Sequence, residues 1–296
     1  MMDTIMPDIP RFYTALAEWL ACMIFILPLK KRMAKKTIPL MAGALVVQSV
    51  FLVVTGNLMI YFWIPCMVIA VILMIGFIYG CCDIGSTDAI YFGMIAFVVA
   101  EFLASIEWQV VCFIWKGQMP ALWIRALLLI GIYGCIAFVL LKIMQTHLPK
   151  DGKMNISPKE LFSAQLIAIA VFAVSNLSFL TSNTPFSGTY SFEIGNIRTL
   201  VDIGGIAILY AHLIQCGELR VKKELEAVQN VLQNQYVQYK QSRESIDLIN
   251  YKYHDLKHQI AVLRSEEDPK KREEFLNRME EEIRQYEAQN KKNGII

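Results

Sequence analysis

A neutral imidazole is a nucleophile toward phosphorus, and a carboxylate beside it can orient the ring and accept its second proton. The stretch Tyr251-Lys252-Tyr253-His254-Asp255-Leu256-Lys257-His258-Gln259-Ile260 supplies such a pair in His254 and Asp255. Gln259 follows Asp255 by four residues, so on a helix the two share a face, and amide and carboxylate together could hold a water beside a phosphorylated His254 or its partner. The same stretch permits a second chemistry. His254 and His258 stand one helical turn apart, as two metal ligands would, with Asp255 the only further donor close by.

The elements that must position these residues are legible in a seven-residue repeat. Leu225, Leu232, Tyr239, Ile246, Tyr253 and Ile260 take position a, and Val228, Gln235, Ser242, Ile249, Leu256 and Leu263 take position d. The repeat predicts a long coiled-coil helix. His254 falls at position b, off the apolar seam, so its ring is expected in solvent on a firm support. Polar Gln235 and Ser242 at successive d positions either set register, leave a segment able to change packing, or simply loosen the coil. Ser265, Glu266, Glu267 and Asp268 break the pattern, and Asp268-Pro269 reads as an N-cap followed by proline at the first helical position. The helix that starts there carries Leu276, Met279, Ile283 and Tyr286 at spacings of three and four, one apolar stripe that can fold back as a hairpin. Two hairpins from two chains would bury four stripes together, so a homodimeric four-helix bundle is expected.

YKYHDLKHQIAVL, preceded by LQNQYVQYKQSRESIDLIN and followed by FLNRMEEEIRQYEAQN, resembles the dimerisation and histidine-phosphotransfer region of bacterial sensor histidine kinases. It is most similar to multispan kinases of the peptide-sensing, accessory-gene-regulator type, whose ATP-binding domain belongs to the GHKL superfamily. The resemblance covers roughly residues 225 to 290 and is specific around His254. It implies that His254 is the phosphoacceptor, that Asp255 is the acid following it, and that the partner is a cytoplasmic response regulator. His254-Asp255 with Gln259 also resembles the H-D-x-x-x-Q motif of another kinase group, in which the Gln supports phosphatase action. His258 departs from the asparagine often found nearby in the peptide-sensing group. In this family an ATP-binding domain with an asparagine-bearing box and glycine-rich lid follows the transfer helices. Neither is found here: after Gly217 the only glycine is Gly294. No cofactor is therefore expected in the chain itself, and ATP and magnesium are expected to act through a catalytic domain supplied in trans.

The residues before the repeat have a different character. The 296-residue chain is 55% hydrophobic and 18% charged, the composition of a membrane protein. Seven apolar runs, at about 12–29, 38–56, 58–79, 89–115, 121–142, 160–180 and 197–216, are near or above the length that crosses a bilayer. Met1 to Pro10 carries Asp3 and Asp8 and lacks a basic n-region, so the first run is expected to be a retained helix rather than a secretory signal. Lys30, Lys31, Arg32, Lys35 and Lys36 place the first loop in the cytoplasm. The fifth loop, with Lys142, Lys150, Lys153 and Lys159, agrees, and the sixth, Thr181 to Gly195, has no Lys or Arg. An odd number of spans leaves the N-terminus outside and the C-terminus in the cytoplasm, behind Arg220, Lys222 and Lys223. Gly80 to Asp88 carries only Asp83 and Asp88 and does not discriminate. A net charge of +2 gives no nucleic-acid footprint. The seven cysteines lie mostly in the apolar runs, without zinc-site spacing or a disulfide framework.

Charged side chains within spans cost about 2.5–3.5 kcal/mol each on insertion scales, so each calls for a reason. Glu101 is the deepest. With Arg125 or Asp202 it could form a polar pocket for an external or membrane ligand; equally, it could be neutral or locally paired while Glu18, Glu107 and Arg125 reach interfacial water from span ends. Trp63, Trp108, Trp115 and Trp123 read as an aromatic belt.

The expected architecture is an all-α membrane protein: a seven-helix transmembrane sensor domain (1–216), a coiled-coil signalling helix (217–250) and a dimerisation and phosphotransfer hairpin (251–296). The expected function is the sensor and phosphotransfer portion of a two-component histidine kinase. Two alternatives stay open: a non-enzymatic receptor that modulates a full-length kinase by heterodimerisation, and a small transporter with an oligomerising tail in which Glu101 is the transport residue.

Overall fold

The computed structural model describes residues 9–32, 34–56, 58, 60–115, 120–148, 153–180, 191–265 and 267–292. Among these residues the chain is all-helical, with eight helices and no strand: α1 (Arg11–Ile26), α2 (Ala34–Thr55), α3 (Ile60–Cys81), α4 (Ser86–Trp115), α5 (Leu122–His147), α6 (Pro158–Leu180), α7 (Ser191–Ser265) and α8 (Pro269–Lys292). Most of the Thr181 to Gly195 loop lies outside the described residues.

Six of the described helices, α2 to α7, contain stretches long and apolar enough to cross a membrane. The chain therefore has the build of a multi-pass membrane protein. α1 differs. At 16 residues it is about 24 Å long, short of the roughly 30 Å hydrocarbon core. Its continuation stops before Pro28, which has no N–H to extend the ladder. Lys31 closes that end by donating to the carbonyls of Ile26, Leu27 (3.2 Å) and Leu29 (3.0 Å). Partial burial there lowers the Lys31 pKa below its ordinary value.

The chain divides into two compact units, Met1–Lys223 and Glu224–Ile296. In the first, α4 is the central helix: 83% of its most apolar window is buried, against 17–33% for the other spans. Tyr91, Phe92, Ile95 and Leu103 of α4 pack in one core with Phe25 of α1 and Met74 and Ile78 of α3. Phe25 stacks on Phe92 at 5.5 Å. The outer helices turn Val46, Val54, Leu122 and Ile130 outward, as faces solvated by lipid would. Close approach of α6 and α7 depends on Gly205, where an added Cβ would lie 2.7 Å from both Cγ atoms of Val171.

Three loops are joined at one end of this unit. Arg32 N–H donates to Cys81 O (3.0 Å) and Asp83 N–H to Lys30 O (2.9 Å), with Lys30 Nζ 3.6 Å from the Asp83 carboxylate. Asp88, at the start of α4, accepts from the amides of Met154 (3.1 Å), Asn155 (3.3 Å) and Ile156 (3.0 Å). Asn155 takes the left-handed conformation (φ 52°) that this wrapping requires. Arg220 reaches the carbonyl of Lys153, and Lys223 stands 3.8 Å from Glu160, so the end of the last apolar stretch belongs to this basic end too. The two aspartates that left Gly80 to Asp88 uninformative in sequence are thus the acceptors that tie the loops together.

In the second unit, Asp268 caps α8 as its sequence suggests: its Oδ1 accepts from Lys270 N–H at 3.0 Å, with Pro269 as the first helical residue. Gly217 lies within α7 and does not interrupt it, although glycine costs about 1 kcal/mol there relative to alanine.

Candidate functional site

His254, Asp255 and Gln259 lie on α7 within the second unit. His254 and Asp255 are exposed, and Gln259 is half-buried. Gln259 Nε2 donates to Asp255 Oδ2 at 3.3 Å, so the expected shared face is present. Asp255 is not hydrogen-bonded to His254. Successive residues of a helix point about 100° apart, which directs the carboxylate to Gln259 and leaves the imidazole ring to solvent. Among the described residues no group of three or more His, Cys, Asp or Glu side chains is placed to hold a metal ion. Nine of the ten apolar a and d residues, Leu225, Val228, Leu232, Tyr239, Ile246, Ile249, Tyr253, Leu256 and Ile260, are 46–69% exposed in the single chain, and Leu263 is half-buried.

The first unit holds a second set of polar groups, which the sequence locates only in part. Glu101 of α4 is buried and paired with Arg198 of α7. Its ion-pair partner is Arg198 rather than Arg125, while Asp202 lies close enough to act electrostatically on the pair. Asp202 is joined instead to hydroxyls: Oδ2 accepts from Ser105 of α4 (3.0 Å) and Oδ1 from Ser175 of α6 (2.8 Å). Arg198 and Asp202 are four apart and share one face of α7, so a single helical face brings a cation to Glu101 and an anion to the two serines. Gln109 and Asn196 join α4 and α7 again one turn further along.

Glu18 and Glu107 do not reach interfacial water. Both are essentially fully buried, at 1% and 0% exposure. Glu18 accepts from Gln48 Nε2 of α2 at 2.8 Å. Neither carboxylate oxygen of Glu107 has a hydrogen-bond partner among the described residues. Arg125 lies over the rings of Tyr13 (5.3 Å) and Trp108 (5.7 Å), whose centroids are 6.4 Å apart in an edge-to-face pair. Trp108 is thus a buried partner in the bundle, whereas Trp123 is 70% exposed.

Toward the basic end, His212 of α7 is held on both nitrogens, by Tyr91 OH of α4 (2.9 Å) and Ser163 Oγ of α6 (2.6 Å). Sequence reading passes over His212, Arg198, Ser105, Ser175 and Gln48. The one signal available was polarity inside apolar runs, together with the four-residue spacing of Arg198 and Asp202. Outside the spans, burial pushes the Cys82 thiol up to about 11, which keeps it protonated and unreactive at neutral pH.

The polar groups of the bundle thus join α7 to α4 and α6 at two levels, while the second unit presents a histidine to solvent beside an acid–amide pair. A scan against protein-family models, a search of curated proteins and a search of solved structures each found no match to this chain.

Proposed function

We propose that this protein is a membrane sensor whose helical bundle responds to an external or membrane ligand and whose cytoplasmic helices present His254 for phosphoryl transfer to a response regulator. The observation that carries the reading is that α7 bears both sets of residues: Arg198 and Asp202 in the bundle, and His254, Asp255 and Gln259 beyond it. A ligand with unequal affinity for two arrangements of the Glu101–Arg198 and Asp202–serine contacts would bias the helix that carries the phosphoacceptor.

The membrane part is read as seven spans, with α1 as the short first one. The basic residues gathered at the joined-loop end, Lys30, Lys31, Arg32, Arg220 and Lys223, set that end in the cytoplasm and the N-terminus outside. The exposed heptad seam is read as a homodimer surface that, with α8 folded back, completes a four-helix bundle. Phosphoryl transfer to His254 would draw on ATP and magnesium held by a catalytic domain in trans. Asp255 and Gln259 would then position a water for the reverse, dephosphorylating step.

The test is incubation of the full chain in lipid nanodiscs with an intact related kinase, ATP and magnesium. The reading expects an acid-labile label on the wild type that His254→Gln abolishes. Absence of label, or equal label on the variant, removes the acceptor role and leaves a receptor that acts by heterodimerisation. Flux in liposomes that survives deletion of residues 224–296 would instead favour a transporter.

A further inference from the structure

Among the described residues five carboxylates are buried in the bundle, and four have hydrogen-bond partners. Glu101 has Arg198, Asp202 has two serine hydroxyls, Glu18 has Gln48, and Asp88 has the three amides of the segment before α6. Glu107, 0% exposed, has none on either oxygen. A buried, unpartnered carboxylate is costly, because it has given up water without receiving a donor in exchange. Arg125 acts on it electrostatically, yet the guanidinium lies over Tyr13 and Trp108 and its Nε, also buried, has no hydrogen-bond partner.

The surroundings suit one kind of ligand. Two aromatic rings in an edge-to-face pair already attract a guanidinium, within the roughly 6 Å at which the ring quadrupole favours a cation. Arg125 links these rings to Glu107, whose carboxylate it acts on electrostatically and whose two free acceptors could supply the directed, charge-assisted bonds that such a cation wants. Tyr133 OH donates to the Tyr13 carbonyl at 3.2 Å and fixes the start of α1 against α5, so the aromatic wall is anchored. Tyr13, Glu107, Trp108 and Arg125 belong to the end of the bundle opposite the joined loops. Glu107 lies eight residues before the end of α4, about 12 Å along the helix axis.

We propose that Glu107, Tyr13 and Trp108 form a binding site for an organic cation, a primary ammonium or guanidinium, and that Arg125 occupies its aromatic wall when the ligand is absent. The ligand's N–H groups bond the Glu107 carboxylate while its charge displaces Arg125 from the two rings toward the end of α5. The proposal rests on the sensor reading in treating the bundle as the ligand-binding part, and it names the class of ligand.

The probe is radiolabelled agmatine, which carries both cationic groups, equilibrated with the full chain in nanodiscs; neutral butylurea serves as competitor. Saturable binding is expected, undisturbed by butylurea. Glu107→Gln should weaken it by about tenfold, the loss of a charge-assisted bond. Arg125→Ala, which removes the resident guanidinium, should tighten it. Tyr13→Leu and Trp108→Leu should each weaken it, and they serve as the decisive variants if Glu107→Gln does not fold. No saturable binding at millimolar agmatine, or binding unchanged by the ring variants and by Glu107→Gln, overturns the site. A chain that binds agmatine yet takes no label on His254 keeps the site and loses the phosphotransfer reading; label without agmatine binding does the reverse.

Discussion

At the scale of single residues, the bundle turns on which buried charge meets which partner. Glu101 and Arg198 are 97 residues apart in sequence and form an ion pair with side chains 7% and 16% exposed. Removing one member of such a pair leaves a buried charge uncompensated, whereas replacing both with apolar groups is often close to neutral. Arg198→Met is therefore expected to destabilise the solubilised chain by about 3–5 kcal/mol, read as a lower unfolding temperature by circular dichroism. The double variant with Glu101→Met should recover most of that loss. A double variant less stable than the single one would show that the pair is not the relevant contact. The Glu101 position was legible from sequence because a charge deep in an apolar run stands out. Its partner was not, since Arg198 lies 97 residues away on another helix and no local pattern links the two.

At the scale of elements, α7 is held to its neighbours by one close approach and two polar levels. Val171 is β-branched and stiff, so it cannot turn both Cγ atoms away from a side chain at Gly205. Gly205→Leu is expected to force α6 and α7 apart, and Gly205→Ala to do so less. Protease nicking and a fall in unfolding temperature graded Ala before Leu would check this; equal stability of all three would refute it. At the other end of α4, Asp88 collects three amides from the segment before α6. Asp88→Ala leaves those donors without their acceptor, and hydrogen exchange at Met154 to Ile156 should accelerate while the α4 core stays protected. Exchange unchanged at those amides would mean the carboxylate does not hold the loop. Helix periodicity told where most elements lie, and Asp268-Pro269 told where α8 begins. Periodicity alone overran Pro28, where α1 stops after 16 residues, and it did not tell that α7 continues through Gly217, which costs too little to break a helix.

At the scale of the whole molecule, the unanswered surface is the heptad seam of the second unit. A run of exposed Leu, Ile, Val and Tyr along one helix face is far larger than the scattered apolar residues a soluble surface carries, and a second copy of the chain would bury it. On a Cys135→Ser background, which removes the exposed thiol, Leu256→Cys at position d should form a disulfide-linked dimer under mild oxidant. His258→Cys at position f should not. Linkage at both positions alike, or at neither, would argue against a dimer in this register.

What the sequence by itself determined is whatever depends on neighbours along the chain. Apolar runs, the seven-residue repeat, the helix cap at Asp268 and the face shared by Asp255 and Gln259 are all set within a few turns of helix. Tertiary structure decided the rest: that Glu101 meets Arg198, that Asp202 meets two serines from different helices, that Glu18 and Glu107 are buried rather than wet, and that Trp108 packs inside. Those outcomes depend on how separate helices rotate and slide against each other. That is fixed by packing across α4, with residues distant in sequence brought within hydrogen-bonding range, and no local pattern in the chain encodes it.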